Sequence, residues 1–188
     1  MAKQYGMLID LKRCIGCHAC TLACKVENGT PLGVDWHRVL TIGGAHVDAP
    51  KGTYPNLSLS WLPVPCMHCQ NPPCEKVCPT AAITRRADGI VLIDKDKCIG
   101  CHYCAWACPY EVPQFNPQAG VVEKCTLCAH RVDQGQEPFC VVACVWGARI
   151  FGDLNDPNSE VSKVLARKHG EVLMPEQGTK PAVYYSPP

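Results

Sequence analysis

The sequence lacks any apolar run long enough to span a membrane. A transmembrane helix needs about 18 or more consecutive apolar residues, and the longest candidates are LSLSWLPVPC (57–66) and FCVVACVWGA (139–148). The first segment, MAKQYGMLID, has neither the apolar core of a secretory signal nor a twin-arginine pair. We therefore expect a chain that does not span a membrane, and that would be exported only together with a partner that carries the signal.

Net charge and aromatic residues are also scarce. The formal net charge is +1, whereas nucleic-acid-binding domains usually carry a basic excess, so nucleic acid is not an expected partner. Aromatic residues make up 7% of the chain, and 16 of the residues counted in its hydrophobic 47% are cysteines. The apolar core is therefore small for 188 residues, and we expect bound groups to help hold the fold together.

Cysteine is what the sequence has in excess, and it falls into four groups of four. The first group lies in CIGCHACTLAC and the third in CIGCHYCAWACP; both have C-x2-C-x2-C-x3-C spacing and follow a Leu-Ile-Asp tripeptide. The second and fourth groups read C-x2-C, a loop, then C-x3-C. The four groups are Cys14, Cys17, Cys20 and Cys24; Cys66, Cys69, Cys74 and Cys78; Cys98, Cys101, Cys104 and Cys108; and Cys125, Cys128, Cys140 and Cys144.

Three chemistries could use these cysteines. A disulfide framework needs an oxidising compartment and gives no reason for the close clustering. Structural zinc uses two C-x2-C knuckles per ion, a pattern that the second and fourth groups could match but the first and third could not easily match. The C-x2-C-x2-C-x3-C run is the bacterial ferredoxin signature, in which the fourth cysteine ligates the other cluster of a pair. The sequence therefore predicts four [4Fe–4S] clusters, with iron held by all sixteen cysteines.

The pairing of the groups is open from the residues alone. A tandem chain would join the first group with the second and the third with the fourth, whereas a nested chain would join the second with the third and the first with the fourth. The link between the second and third groups, TAAITRRADGIVLIDKDK, reads as two strands around an Asp88-Gly89 turn. This hairpin favours the nested arrangement.

Four segments of the chain resemble the four-cluster iron–sulfur subunits of the dimethyl sulfoxide reductase family of molybdenum and tungsten enzymes, of the dimethyl sulfoxide and polysulfide reductase type. The segments are MLIDLKRCIGC, PCMHCQNPPCEKVCPTAAI, DKDKCIGCHYCAWACPYEVPQFN and EKCTLCAHR. The resemblance covers nearly the whole chain and implies nested pairing. The implied ligand sets are Cys14, Cys17, Cys20 and Cys144; Cys24, Cys125, Cys128 and Cys140; Cys66, Cys69, Cys74 and Cys108; and Cys78, Cys98, Cys101 and Cys104.

The expected architecture is α+β, with two bacterial-ferredoxin-like modules, one nested within the other. The outer module is discontinuous, and an insertion and an extended C-terminal arm complete the chain. The expected boundaries are 1–27 and 117–156 for the outer module, 28–59 for the insertion, 60–116 for the inner module, and 157–188 for the C-terminal helix and arm.

The resemblance implies an electron-transfer subunit used in anaerobic respiration. Its partners would be a catalytic subunit with a molybdenum or tungsten bis-pterin centre and a quinol-handling membrane subunit or other redox partner. Nothing in the sequence looks able to transform a substrate, so no catalytic residue is expected. The chain would be associated with a membrane through a partner, on the periplasmic face by co-export; cytoplasmic is the alternative. A free-standing polyferredoxin shuttle and a zinc-binding interaction module remain alternative functions.

Four further features of the sequence lead to predictions. The insertion is either a docking surface or a peripheral hairpin over a ferredoxin module. Residues 157–169 predict a short amphipathic helix, capped by Ser159 and stopped by Gly170. The proline-rich tail that follows would be disordered alone and lie along a partner. The two tryptophans next to cluster ligands, Trp106 and Trp146, are expected to pack over the clusters and shield them.

Overall fold

The computed structural model describes residues 3–43 and 46–187, and two residues of the expected insertion, Gly44 and Ala45, lie outside them. The strands are β1 (Tyr5–Asp10), β2 (Arg38–Thr41), β3 (Lys51–Thr53), β4 (Asn56–Ser58), β5 (Trp61–Val64), β6 (Ile83–Arg85), β7 (Val91–Ile93), β8 (Gln114–Asn116), β9 (Val121–Glu123), β10 (Arg149–Asp153) and β11 (Val183–Ser186). The helices are α1 (Ala19–Asn28), α2 (Pro73–Lys76), α3 (Tyr103–Ala107), α4 (Ala129–Val132), α5 (Phe139–Val142) and α6 (Glu160–Lys168), with a 3-10 turn at Pro175–Gln177. The mixture of short helices and strands confirms the α+β expectation.

The central sheet brings both ends of the chain together. Strand β1 lies between β10, with which it is antiparallel, and β11, with which it is parallel. Successive side chains of a strand point to opposite faces. Met7 and Ile9 therefore join the main core, whereas Leu8 packs against Val161 and Val164 of α6. Strand β1 is therefore covered on both faces, and all its residues from Gly6 to Asp10 are buried.

The remaining strands form two-stranded sheets: β2 with β5, β3 with β4, β6 with β7, and β8 with β9. The predicted hairpin between the second and third cysteine groups is present, with Ile83 opposite Ile93 and Thr84 opposite Leu92. Gly89 occupies its turn with a φ of 89°, a conformation that favours glycine.

The short helices pack in two pairs. Helix α1, which contains Cys20 and Cys24, packs against α5, which contains Cys140. Helix α2, which contains Cys74, packs against α3, which contains Cys104. Each pair therefore brings together cysteine groups that are far apart along the chain.

The amphipathic helix α6 forms as predicted, with a difference at its end. Ser159 caps it, and its Oγ accepts a hydrogen bond from the Ser162 amide at 3.2 Å. The left-handed residue at the other end is His169, with a φ of 49°. Gly170 lies beyond it, against Leu165, where a Cβ would be 2.6 Å from Leu165 Cδ2. Gly170 thus packs closely against Leu165 and is not the residue that ends the helix.

The C-terminal tail folds on its own chain, so the expectation that it would be disordered alone and lie along a partner was wrong. Strand β11 adds to the central sheet, and Tyr185 in it is 4% exposed. The Tyr185 hydroxyl donates to the Pro63 carbonyl at 2.8 Å. Thr179 Oγ1 lies 2.6 Å from the Tyr110 hydroxyl. The run Val183-Tyr184-Tyr185 is typical of a strand, but it is short and lies among prolines, and the sequence does not indicate that β1 is its partner.

Within the described ranges, no helix combines the length and apolar character that crossing a bilayer requires.

Candidate metal-cluster sites

Sixteen cysteines line four cavities of similar size. Site 1 encloses about 340 Å³, site 2 about 430 Å³, site 3 about 360 Å³ and site 4 about 300 Å³, including the space open to solvent. The cysteines that define them are Cys14, Cys17, Cys20 and Cys144 for site 1; Cys24, Cys125, Cys128 and Cys140 for site 2; Cys66, Cys69, Cys74 and Cys108 for site 3; and Cys78, Cys98, Cys101 and Cys104 for site 4. Each cavity thus gathers one of the sets that the resemblance implies; ligation itself stays a prediction.

All sixteen cysteines are free thiols, so a disulfide framework is not what holds the fold. Among the residues that the structure describes, no three cysteine, histidine or carboxylate side chains converge closely enough to hold a single metal ion. This arrangement differs from a structural zinc site, in which four ligands surround one ion at about 2.0–2.3 Å. Four sulfur donors around a larger space fit an iron–sulfur cubane.

The repeated motif folds in the same way twice. In site 1, Gly16 has a φ of 68° and His18 a φ of 58° just before α1. In site 4, Gly100 has a φ of 69° and His102 a φ of 66° just before α3. Two left-handed residues turn the chain so that successive cysteines face one cavity. The sequence repeat therefore encodes a repeated local conformation.

Hydrogen bonds to sulfur support three of the sites. The Ala148 amide donates to Cys144 Sγ at 3.2 Å in site 1, and the Leu127 amide donates to Cys125 Sγ at 3.4 Å in site 2. In site 4 the Val122 amide donates to Cys98 Sγ at 3.4 Å. Such bonds stabilise the thiolate form that a metal cluster needs.

Burial raises the pKa of most of these thiols. The pKa values of Cys24, Cys69 and Cys74 rise to about 12, with neighbouring cysteines adding to the effect of burial. At neutral pH these groups are protonated without a metal, and iron binding must release their protons. Cys78 differs: burial acts to raise its pKa, but hydrogen bonds from Thr80 and from backbone amides outweigh burial and lower it. These are the features of metal ligands rather than of reactive thiols.

Three buried polar side chains near the sites were not found from the sequence. Lys124 is 3% exposed, and its ammonium donates to the carbonyls of Val91 and Cys125. Arg149 and His37, 4% and 2% exposed, contact each other at the boundary of sites 1 and 2. The sequence indicates only one of these three residues locally: Lys124 stands next to Cys125 in EKC. A lysine next to a cysteine is common on protein surfaces, so this pattern does not predict a buried cation.

The predicted shielding was wrong for Trp106, which is 78% exposed and does not line site 4. Trp146 lines site 1 but is 60% exposed, so it covers that cavity only in part. Instead, the indole of Trp61 covers the turn at Gly16, and the ring of Phe115 lies 4.6 Å from the ring of His102. Both rings come from strands outside the cysteine motifs, so motif spacing could not reveal them.

Two protein families match the chain. A 4Fe-4S dicluster domain matches residues 57–154, and a 4Fe-4S binding domain matches residues 5–26. A Halobacterium salinarum protein, named as an iron-sulfur subunit of dimethyl sulfoxide reductase, is 50% identical over 97% of this chain and 78% of its own length. A tetrathionate reductase subunit of Salmonella typhimurium is 44% identical over 97% of this chain and 72% of its own. One of the polysulfide reductase chains of Wolinella succinogenes is 42% identical over 100% and 96%.

Proposed function

Because the protein belongs to the iron–sulfur subunits of the dimethyl sulfoxide, polysulfide and tetrathionate reductase family, we propose that it carries electrons through four [4Fe–4S] clusters. The clusters would supply reversible one-electron chemistry when bound. The chain itself holds the sulfur donors and controls the burial and charge around them. It is an electron-transfer subunit and not the catalytic one.

The observation that carries the proposal is the grouping of the sixteen cysteines around four cavities, each with three donors from one segment and a fourth from another. We assign site 1 to Cys14, Cys17, Cys20 and Cys144, and site 2 to Cys24, Cys125, Cys128 and Cys140. We assign site 3 to Cys66, Cys69, Cys74 and Cys108, and site 4 to Cys78, Cys98, Cys101 and Cys104. In this scheme neighbouring sites exchange their last ligands, as the ferredoxin signature requires.

Nested modules follow from the same assignment. The pairing of β1 with β10 and of α1 with α5 supports an outer module that combines residues 1–27 with 117–156. The β6–β7 hairpin and the packing of α2 on α3 support an inner module at 60–116. The segment 28–59 is then an insertion, and 157–188 a C-terminal extension.

The insertion has two parts with different surroundings. Trp36 and His37 are buried against site 2, so this part of the insertion closes a cluster cavity. The β3–β4 hairpin is exposed throughout, and Tyr54 at its turn is 88% exposed. We assign the first part to shielding and the second to contact with another subunit.

The sites form one continuous path. Sites 1 and 2 share α1, whose two cysteines face different cavities. Cys66 lines both site 2 and site 3. Sites 3 and 4 share the packed helices α2 and α3. Electrons would therefore travel between site 1 and site 4 by way of sites 2 and 3.

Exposed apolar side chains surround both ends of this path. Val145 and Trp146 are 78% and 60% exposed beside site 1. Ile99, which lines site 4, is 65% exposed, and Trp106, which follows Cys104 in α3, is 78% exposed. Apolar patches of this kind mark protein contacts.

We propose that one end meets a catalytic subunit with a molybdenum or tungsten bis-pterin centre and the other a quinol-handling membrane subunit or other redox partner. The chain would lie at the membrane through that partner, on the periplasmic face.

Metal analysis tests the cofactor assignment. Protein purified without oxygen should be brown and contain about 16 iron atoms and as many acid-labile sulfides per chain, as four cubanes require. A colourless, sulfide-free, zinc-containing protein would refute the proposal. Purification of the native complex distinguishes two functions. A dedicated subunit would co-purify with its large catalytic partner, whereas a free-standing polyferredoxin would be purified alone and be stable.

Matched serine variants test the ligand sets. The C144S variant should abolish the same electron paramagnetic resonance (EPR) signal as C17S, because both remove a ligand of site 1. The C24S variant should abolish the same signal as C128S in site 2. Tandem pairing would instead make C144S damage the centre that C101S damages, and this result would refute the nested assignment.

A further inference from the structure

The guanidinium of Arg149 lies at the boundary between sites 1 and 2. Its Nη1 donates to Cys140 Sγ of site 2 at 3.6 Å and lies 3.3 Å from Met7 Sδ. Its charge also interacts with Cys20 and Cys144 of site 1. Because Arg149 is 4% exposed, water does little to screen these interactions.

His37 holds this guanidinium in place without neutralising it. Arg149 Nη2 donates to His37 Nε2. Arginine has no acceptor, so this nitrogen must be the unprotonated one and the imidazole is neutral. The proton on Nδ1 then points to Thr21 Oγ1, 3.3 Å away on α1. The insertion thus supplies a neutral acceptor that fixes a cation between two sites.

No carboxylate among the described residues lies within ion-pair distance of Arg149; its polar contacts are a histidine, a thioether and a thiol. Burial of a charge without a counter-ion is strongly unfavourable. The negative groups that can offset this cost are the cysteine thiolates and the clusters they bind. Such a residue is stabilised only when sites 1 and 2 carry negative charge.

We propose that Arg149, positioned by His37, raises the reduction potentials of the clusters at sites 1 and 2. Reduction adds one electron to a cluster, with no bond formed or broken, and makes the site more negative. A buried cation nearby stabilises the reduced form and so makes reduction more favourable. The inference rests on the proposed function, because it needs clusters at these two sites. It also gives the insertion a role in electron transfer besides subunit contact.

The test is an EPR-monitored redox titration of the purified complex with three variants at this position. R149Q keeps a hydrogen-bond donor but loses the charge, R149M loses both, and R149K keeps the charge. The midpoint potentials of sites 1 and 2 should fall in R149Q and R149M and stay near the wild-type values in R149K. Sites 3 and 4 should shift much less. The site signals are identified beforehand with the C17S and C128S variants.

R13M is the matched control. Arg13 also lines site 1, but its side chain is 57% exposed, so water screens its charge and its loss should shift the potential far less.

Three results would overturn the inference. The first is that R149Q keeps its full iron content and its midpoint potentials are unchanged. The second is that the midpoint potentials shift equally in R149Q and R149K. The third is that R149Q and R149K both lose the clusters at sites 1 and 2. The last result would show that the residue supports the fold and that its charge is immaterial. Wild-type protein without iron and sulfide would instead refute the proposed function, so the two failures are distinguishable.

Discussion

The indole ring of Trp61 lies so close to Gly16 that a Cβ built on this glycine would be 2.3 Å from two ring atoms. Trp61 is itself fixed by a hydrogen bond from its Nε1 to Asp48 Oδ1 at 2.9 Å. Strand β5 therefore covers the turn that presents the first cysteines of site 1. The close approach, together with the left-handed φ of 68° at Gly16, leaves no room for a side chain.

We expect the G16A variant to lose the cluster at site 1, because the added methyl must displace Trp61 or the turn. Iron and sulfide should fall by about 4 atoms of each per chain, the content of one cubane, with the loss of the EPR signal that C17S also abolishes. The G135A variant is the control, since Gly135 has a φ of 75° but nothing within 4 Å of its Cβ position. G135A should keep all clusters and show only the strain of a left-handed alanine, about 1–2 kcal/mol. Full iron content in G16A would contradict this account.

Asp10 anchors the C-terminal extension to the central sheet. Its side chain, 1% exposed, accepts hydrogen bonds from the Lys168 ammonium and from Ser186 Oγ at 3.2 Å. In D10N these donors lose their charged acceptor, and we expect the local opening of β11 to become easier by about 2 kcal/mol. Amide hydrogen exchange in β11 should accelerate about 30-fold. D133N, which removes an exposed partner of Arg86, should leave β11 exchange unchanged; acceleration in both variants would contradict a specific anchor.

The same anchor has a defined pH dependence. Although burial acts to raise the pKa of Asp10, hydrogen bonds and charge from Lys168 and the bond from Ser186 lower it below the ordinary 3.8. A lowered carboxyl pKa gives stabilisation that is complete above the ordinary value and is lost as pH falls through the lowered one. The difference in β11 opening free energy between wild type and D10N should therefore be constant from about pH 6 to 8. A difference that shrinks within this range would show that Asp10 is not ionised as the structure indicates.

The Tyr110 hydroxyl fixes the tail over site 3. It lies 2.6 Å from Thr179 Oγ1 and donates to the Leu173 carbonyl at 3.3 Å. Y110F leaves both partners unsatisfied, at a cost of about 1–2 kcal/mol. Because cluster proteins unfold irreversibly, we expect the effect as faster loss of the site 3 cluster under oxygen, followed by absorbance and EPR. Y103F, whose ring is 51% exposed, is the control and should decay at the wild-type rate.

Local patterns in the sequence predicted local structure well. The repeated cysteine run, the hairpin around Gly89 and the cap at Ser159 depend on residues within a few positions of one another. Contacts between distant segments were not predicted. His37 and Arg149 are 112 positions apart, and β11 pairs with β1 from the opposite end of the chain. The parallel pairing of β11 with β1 and a buried cation without a nearby carboxylate have no local signature. Their partners come from the fold, in which the two ends of the chain meet.

The two exposed tryptophans test which sites lie at the two ends of the electron path. Trp106 lies in α3 between Cys104 of site 4 and Cys108, Trp146 lines site 1, and both side chains are mostly exposed. Large exposed aromatic side chains at an interface often contribute about 2 kcal/mol or more to binding, about a 30-fold change in dissociation constant. W106A and W146A should keep all clusters, and each should weaken binding to a different partner subunit when the complex is reconstituted. The control is M174A, because Met174 is 46% exposed, belongs to the C-terminal extension and lines neither site 1 nor site 4. If both tryptophan variants weakened binding to the same subunit, sites 1 and 4 could not be opposite ends of the path, and the order of sites proposed above would have to be abandoned.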